Sequence, residues 1–398
     1  MTSPLKLSPF HPRTSVLNLA QNWRRWAGYL ASSAYELQHD REYAAIRNSA
    51  ALLDITPLYK YLIAGPDAER LLQRVVTRNV SRCRVGQVMY TPWCTAAGKI
   101  IDDGTLARLG EDRFRLTAAE PNLRWLCRNA MGLDVAVTDV SDRTAALALQ
   151  GPLSREILRE CCEADISGLG FFRLTAGTIR GVPVTVSRTG YTGDLGYEIW
   201  ADAAQALPLW DAVMDAGSRF GITPAGMLAL DVARIEAGLI LLDVDYVPAT
   251  KAVIERQLST PYELGLGWTV KLDKGDFNGR AALAREHAAG PAWNLVGLEM
   301  DWESLERQYA AVGLPPRLQP AAWRTSVPVY LDERQVGYAT SGCWSPLLKK
   351  SLALAHLEAP ACRPGLPLTM EVTVEHRRRR AAVRVAKTPF FDPKRKRD

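Results

Sequence analysis

The sequence predicts an α+β protein that ends in a separate all-β domain, and three observations carry that expectation. At 398 residues the chain exceeds what one ordinary hydrophobic core organises, so more than one domain is expected. Strand-like and helix-like segments interleave as far as about residue 290, the pattern of a mixed α+β region. Beyond "HAAGPAWNLVGLEM" the texture changes to short strands separated by Gly/Pro turns, which suggests a small β domain. We place the mixed region at 1–288, the β domain at 289–392 and a basic tail at 393–398.

Taken in order, the segment up to Asp40, with "NWRRWAGYLASSAYELQHD", reads as an irregular lead-in with some helix. "REYAAIRNSAALLD" has the apolar spacing of a helix. "LYKYLIAG" alternates like a strand and stops at Gly65-Pro66-Asp67. "PDAERLLQRVV" follows as a helix with Pro66 and Asp67 at its start. "DRFRLTAA", "VAVTDV", "AALALQG" and "VPVTVSRTG" read as strands; "LPLWDAVMDAGSRF" and "AGMLALDVARIEAG" read as helices. "LDKGDFNGRAAL" reads as strand, tight turn and helix, and "TSGCWSPLLKKSLALAHL" as a loop entering a strand. "VPVYLDERQVGYATSG", "LTMEVTVEH" and "AAVRVAKTPFF" complete the β domain.

Composition narrows the class. With 47% hydrophobic and 23% charged residues the chain is globular and not disordered. It holds no apolar run long enough to cross a bilayer, and "MTSPLKLSPFHPRTS" lacks the apolar core of a secretory signal. Seven cysteines, with no CxxC pair, read as reduced and mostly buried thiols in a cytoplasmic protein, with no metal site. Residues 371–398 hold ten Lys/Arg against four Asp/Glu, which is the whole of the net charge of +6. The rest is neutral, so a nucleic-acid surface is not expected. "RRRR" at 377–380 and "KRKR" at 394–397 read as a solvated strand end and tail.

Three stretches carry chemistry. "SRTGYTGDLGYEI", 187–199, spaces Gly190, Gly193 and Gly196 three apart, sets Tyr191 and Tyr197 beside them and includes Glu198. It is too glycine-rich for a helix. "TAAGKIIDDGTLARL", 95–109, drives an apolar strand into two acids, although a buried carboxylate is costly unless paired or used. Because successive strand side chains alternate, Asp102 and Asp103 cannot both face one pocket. A surface turn is the simpler reading of "DDG" taken alone. On "GMLALDVARIEAG" Arg234 either pairs with Asp231 at i−3 or aims its fork at a ligand carboxylate, and without context the pair is favoured. No GxGxxG or P-loop occurs, so a self-contained nucleotide domain is not expected.

Taken together, "GKIIDDGTLARL", "SRTGYTGDLGYEI", "ALDVARIEAGLIL" and "LDKGDFNGR", followed by "TSGCWSP", resemble the aminomethyltransferase family. That family includes the T-protein of the glycine cleavage system, the folate domains of sarcosine and dimethylglycine oxidases and tetrahydrofolate-dependent demethylases. The resemblance implies two intertwined α+β subdomains around a central folate channel, plus a C-terminal β-barrel-like domain. It implies an enzyme that moves a nitrogen-linked one-carbon unit between a small molecule and tetrahydrofolate. Under it, Glu198 matches the acid that accepts the pterin N–H groups, the glycines let backbone approach the ring, and Tyr191 and Tyr197 supply wall surface. Asp102 matches the catalytic first acid of the pair, and Tyr90 a tyrosine lining the folate site. Arg234 is a candidate for the folate's glutamate tail, with the basic strand 377–384 as a further one.

The chain departs from the family pattern at Thr95, Thr56-Pro57 and Leu230, which stand where an Asn, a Ser-His and an Arg are usual. These positions shape the pocket for the second substrate, so a lipoyl-bound donor is not the expected one. The expected partner is a small-molecule one-carbon donor or acceptor, with a carrier protein or an oxidase subunit as candidates and neither nucleic acid nor membrane. Two alternatives stay open: an N-, O- or S-demethylase that yields 5-methyl-tetrahydrofolate, and a folate-binding module without catalysis. The iron–sulfur-assembly relatives of the second kind carry a Lys-Gly-Cys-Tyr motif, which this sequence lacks.

Overall fold

The computed structural model describes residues 5–398. Two sheets and a barrel organise it. A five-stranded antiparallel sheet runs in the order Val88–Cys94, Ile100–Gly110, Arg113–Ala118, Tyr59–Ala64, Ala136–Asp139. A six-stranded sheet runs Leu174–Ile179, Val182–Ser187, Gly196–Asp202, Thr144–Gln150, Ala50–Asp54, Ile222–Pro224, and only its last pair is parallel. The chain passes from Ala50–Asp54 in the second sheet to Tyr59–Ala64 in the first, then returns from Ala136–Asp139 to Thr144–Gln150. That double crossing is what intertwines the two α+β units.

Alternation divides each strand between two environments. In the six-stranded sheet Leu147, Leu149, Tyr197 and Ile199 pack on one side with helices Ser154–Cys161 and Ala206–Gly217. Ala146, Ala148 and Trp200 pack on the other, with helices Asp40–Asn48 and Met227–Glu236. In the five-stranded sheet Tyr61, Ile63, Trp93, Leu106, Phe114 and Leu116 meet helices Ala68–Val75 and Leu123–Asn129. Tyr90, Asp103 and Arg115 lie on the opposite face of the five-stranded sheet, and Glu198 lies on the Trp200 side of the six-stranded one.

The C-terminal strands Trp293–Met300, Lys350–Glu358, Arg334–Ser345, Val327–Leu331, Leu368–Val374 and Arg377–Ala386 close into an antiparallel barrel, which removes every sheet edge. Among the described residues no helix is long and apolar enough to cross a membrane.

Four segments differ from the sequence reading. The lead-in keeps the expected helix, His11–Leu17, but is otherwise a small sheet, with Asn22–Trp26 and Tyr29–Ala34 as a hairpin and Lys6–Leu7 beside it. The helix expected over "REYAAIRNSAALLD" stops at Asn48, and Ala50–Asp54 is a buried strand, because an unbroken apolar run has no period to separate the two. "TSGCWS" is strand and not loop, its glycine required by Trp323, whose ring would lie 2.3 Å from a Cβ at Gly342. No strand precedes the "DKGDFNG" turn, although the helix Arg280–Ala289 follows it.

Candidate functional site

The two adjacent acids have separate fates. Asp102 pairs with Trp93 on the helix-covered face of the five-stranded sheet and is fully buried. Its Oδ1 accepts the Asp103 N–H at 2.7 Å; its Oδ2 accepts the Glu120 N–H at 3.0 Å and Asn122 Nδ2 at 2.8 Å. Asn122 is itself held by the Trp93 indole at 3.0 Å. Both oxygens are therefore committed beneath the sheet. Burial, then the neighbouring Asp103 charge, pushes the Asp102 carboxyl well up.

Asp103 faces the other way. Tyr90 donates to its Oδ2 at 2.8 Å and Tyr246 to its Oδ1. Burial raises its pKa while the two phenols pull it back. The acid that meets the interior between the sheets is thus the second of the pair, not the Asp102 chosen from the motif. Nor is "DDG" a turn. Gly104 lies inside the long strand, where a Cβ would stand 1.9 Å from the Thr117 carbonyl oxygen.

Glu198 approaches from the six-stranded sheet. It shares a strand face with Trp200, and Thr189 Oγ1 donates to its Oε2 at 2.7 Å. Burial raises its pKa, with Thr189 and the Arg115 charge pulling it back. Arg115, on the strand facing it, lies over the Trp200 ring at 4.0 Å. Burial brings its guanidinium down to about 10, against the pull of Glu198, so it stays cationic near neutrality. Tyr90, Asp103, Tyr191 and Glu198 lie deep in the molecule, yet each keeps some accessible surface. We infer from this that they border an internal cleft. At its mouth Trp268, 55% exposed, stacks on Tyr90 at 6.2 Å under the Arg78 guanidinium at 5.1 Å.

The glycine-spaced stretch is built around another side chain. Cβ atoms at Gly190 and Gly196 would lie 2.0 and 2.3 Å from Gln150 Oε1. Gln150 Nε2 donates to the Thr189 and Tyr197 carbonyls, and its Oε1 accepts from Thr192. The glycines admit this buried amide, which fixes the loop that carries Tyr191 and Glu198. Tyr191 belongs to the cleft and its hydroxyl donates to the Ile240 carbonyl. Tyr197 does not. One residue from Glu198, it points into the opposite core and is fully buried.

Arg234 is also largely spoken for, with its Nη2 alone left without a partner among the described residues. It is 1% exposed, donates to Asp231 at 2.8 Å and to the Leu239 carbonyl at 3.2 Å, and pairs with Asp245. Asp245 accepts in turn from Ser341 at 2.7 Å and Thr340 at 2.5 Å, so this group ties the barrel to the helix. Arg378, Arg380 and Arg384 of the basic strand pair with Glu371, Glu333 and Glu299 of the barrel.

The tail is not simply solvated. Arg395 donates to the buried Asp194 carboxylate at 2.7 and 2.8 Å, and Arg188 donates to three tail carbonyls. Asp194 lies in the glycine-spaced loop, and its other cation, Arg47, is 3.6 Å away. Sequence reasoning missed Asp103, Arg115 and Tyr246. Alternation separated Asp103 from Asp102 and Arg115 from its neighbours, but only the strand register puts Asp103 and Arg115 on one sheet face. Tyr246 sits in a loop with no periodic signal.

Comparison with known proteins bears on this arrangement. A family model for the GCVT N-terminal domain matches residues 14–274, and one for the glycine cleavage T-protein C-terminal barrel domain matches 294–392. The chain is 36% identical over 354 residues to an aminomethyltransferase of Halothermothrix orenii, covering 88% of this chain and 90% of that one. It is 36% identical over 410 residues to a trimethylamine-oxide aldolase of Ruegeria pomeroyi, covering 98% of this chain and 48% of that longer one. In fold it is similar to a glycine cleavage system aminomethyltransferase T from Bartonella henselae, with a TM-score of 0.82 over 98% of each chain at 24% identity. The chain belongs to the glycine cleavage T-protein family, enzymes that transfer one-carbon groups with tetrahydrofolate.

Proposed function

We propose that the protein transfers a nitrogen-linked one-carbon unit between a small-molecule amine and tetrahydrofolate. The observation that carries this reading is Asp103, a carboxylate deep in the cleft and oriented by two phenols before any ligand arrives. The residues fit a reduced pterin. Glu198 receives only the Thr189 hydrogen bond among the described residues and keeps Oε1 for ring N–H donors. Tyr90 and Tyr191 supply wall, and Arg78 at the mouth takes the tail role that the paired Arg234 cannot. When bound, tetrahydrofolate supplies the nitrogens that carry the carbon.

The chain's part is electrostatic. Asp103 stabilises positive charge on a carbon-bearing nitrogen and holds or releases its proton, while Tyr90 and Tyr246 keep the carboxylate ionised and aimed. The role the motif suggested for Asp102 passes to Asp103, and Asp102 serves as the buried anchor of the strand. A second reading follows from the Ruegeria pomeroyi relative, which spans nearly all of this chain and whose name specifies a methylated amine oxide as its substrate. On that reading the donor is a methylated amine whose methyl group passes to tetrahydrofolate without a change of oxidation state, leaving the demethylated amine. Incubation with tetrahydrofolate and a panel of aminomethylated and methylated amines, followed by mass spectrometry of the folate, tests both. Methylene-tetrahydrofolate is expected; 5-methyl-tetrahydrofolate would support the demethylase, and unchanged folate with every donor would sink both readings.

A further inference from the structure

Arg115 is a cation without a hydrogen-bond or carboxylate partner. It is 8% exposed, its Nε has no hydrogen-bond partner, and no hydrogen bond to either Nη is found among the described residues. It lies over Trp200, two residues along the same strand face from Glu198, a separation of about 6.6 Å between their backbones. No ion pair joins Arg115 to Glu198. Two buried groups of opposite charge that leave each other alone are expensive unless something completes them, because each forgoes water without gaining the other. What completes them is a flat edge with hydrogen donors on one side and an acceptor on the other.

We propose that Arg115 is a specificity-determining residue that donates to the ring carbonyl of a 4-oxo pterin whose amino and N3–H groups face Glu198. This rests on the folate reading above and adds a discrimination to it. A 4-amino ring turns the carbonyl acceptor into a donor and N3 into an acceptor. It therefore meets Arg115 donor to donor and sets N3 against Glu198 acceptor to acceptor, leaving only the 2-amino group to donate there, so the cleft disfavours it.

The test is titration of the purified full chain, followed by tryptophan fluorescence, with a 4-oxo folate and its 4-amino analogue. Wild type is expected to bind the 4-oxo form at least tenfold more tightly. Arg115→Met is expected to lose roughly tenfold to hundredfold in 4-oxo affinity, the range for a hydrogen bond to a charged group, with the preference reduced to within about threefold. Arg115→Lys, which keeps the charge but loses the planar fork, is expected to fall between. A 4-oxo affinity unchanged in Arg115→Met overturns the proposal, as does an undiminished preference. If Arg115→Met fails to fold, the wild-type preference and Arg115→Lys decide: no preference, or a lysine variant equal to wild type, overturns it. Wild type that binds neither ligand defeats the folate reading itself, whereas wild type that binds both equally defeats only the role of Arg115.

Discussion

The two sheets each send one acid into the cleft and equip it differently. Asp103 arrives with two phenol donors, one on each oxygen, so its geometry is complete before a ligand binds. Glu198 arrives with one hydroxyl donor and faces a guanidinium it does not touch. A group held ready without its ligand suits a reaction, since no reorganisation is left for the transition state. A group left with spare capacity suits recognition, since the ligand supplies what is missing.

The largest expected effect breaks that comparison on the reactive side. Asp103→Asn should lower kcat/KM by roughly 10²- to 10⁴-fold in a steady-state assay. Asp102→Asn should chiefly lower stability, measured by denaturant unfolding, because the amide puts a donor where a carboxylate oxygen accepts from Asn122 or a backbone N–H. The reverse pattern would return the reaction to Asp102. Next in size, Tyr246→Phe should reduce kcat by about tenfold, the cost of one hydrogen bond to a charged group, with KM for folate little changed. A matching rise in KM would make Tyr246 a binding residue instead.

The pH profile sharpens the same contrast. Asp103 must be ionised to act, and burial raises its pKa above the usual carboxylate value of about 3.9. Activity should therefore be lost as pH falls through that raised value and be full above it. Tyr246→Phe removes a donor that favours the carboxylate, so the acid limb should move to higher pH. A limb that stays in place would exclude Asp103 as its source.

The smallest effect concerns the loop beneath Glu198. Arg395→Ala leaves the buried Asp194 with the Leu195 N–H at 2.8 Å and Arg47, its one remaining cation, at 3.6 Å. A loss of about 1–3 kcal/mol is expected in denaturant unfolding. A change below a few tenths would show that the tail merely rests on the loop.

Much of this was legible in the sequence, and the misses share physical causes. The division into a mixed region and a small β domain followed from strand spacing and turn residues, and its barrel form from the family resemblance. The acid pair and the glycine-spaced stretch marked the two places that face the cleft. The one-in-two choice within each strand was not settled by the motifs: Asp102 and Tyr197 both point into helix-covered cores, one residue from Asp103 and Glu198. Period-two alternation gives relative sides, and only the packed helices say which side is inside. Arg234 illustrates the other limit. Its pairing with Asp231 is local and was weighed, but Asp245, which closes the cage, joins it only through the fold. The glycines show a third. Their spacing was visible, but Gln150, the side chain that Gly190 and Gly196 make room for, lies some forty residues upstream.

The most direct test of the central claim is calorimetric titration of tetrahydrofolate into wild type, Asp103→Asn and Glu198→Gln side by side. The account expects comparable binding to the first two, and affinity weakened by roughly tenfold to hundredfold in the third, the range for hydrogen bonds to a charged acceptor. No heat with wild type, or binding lost in Asp103→Asn and retained in Glu198→Gln, would contradict it.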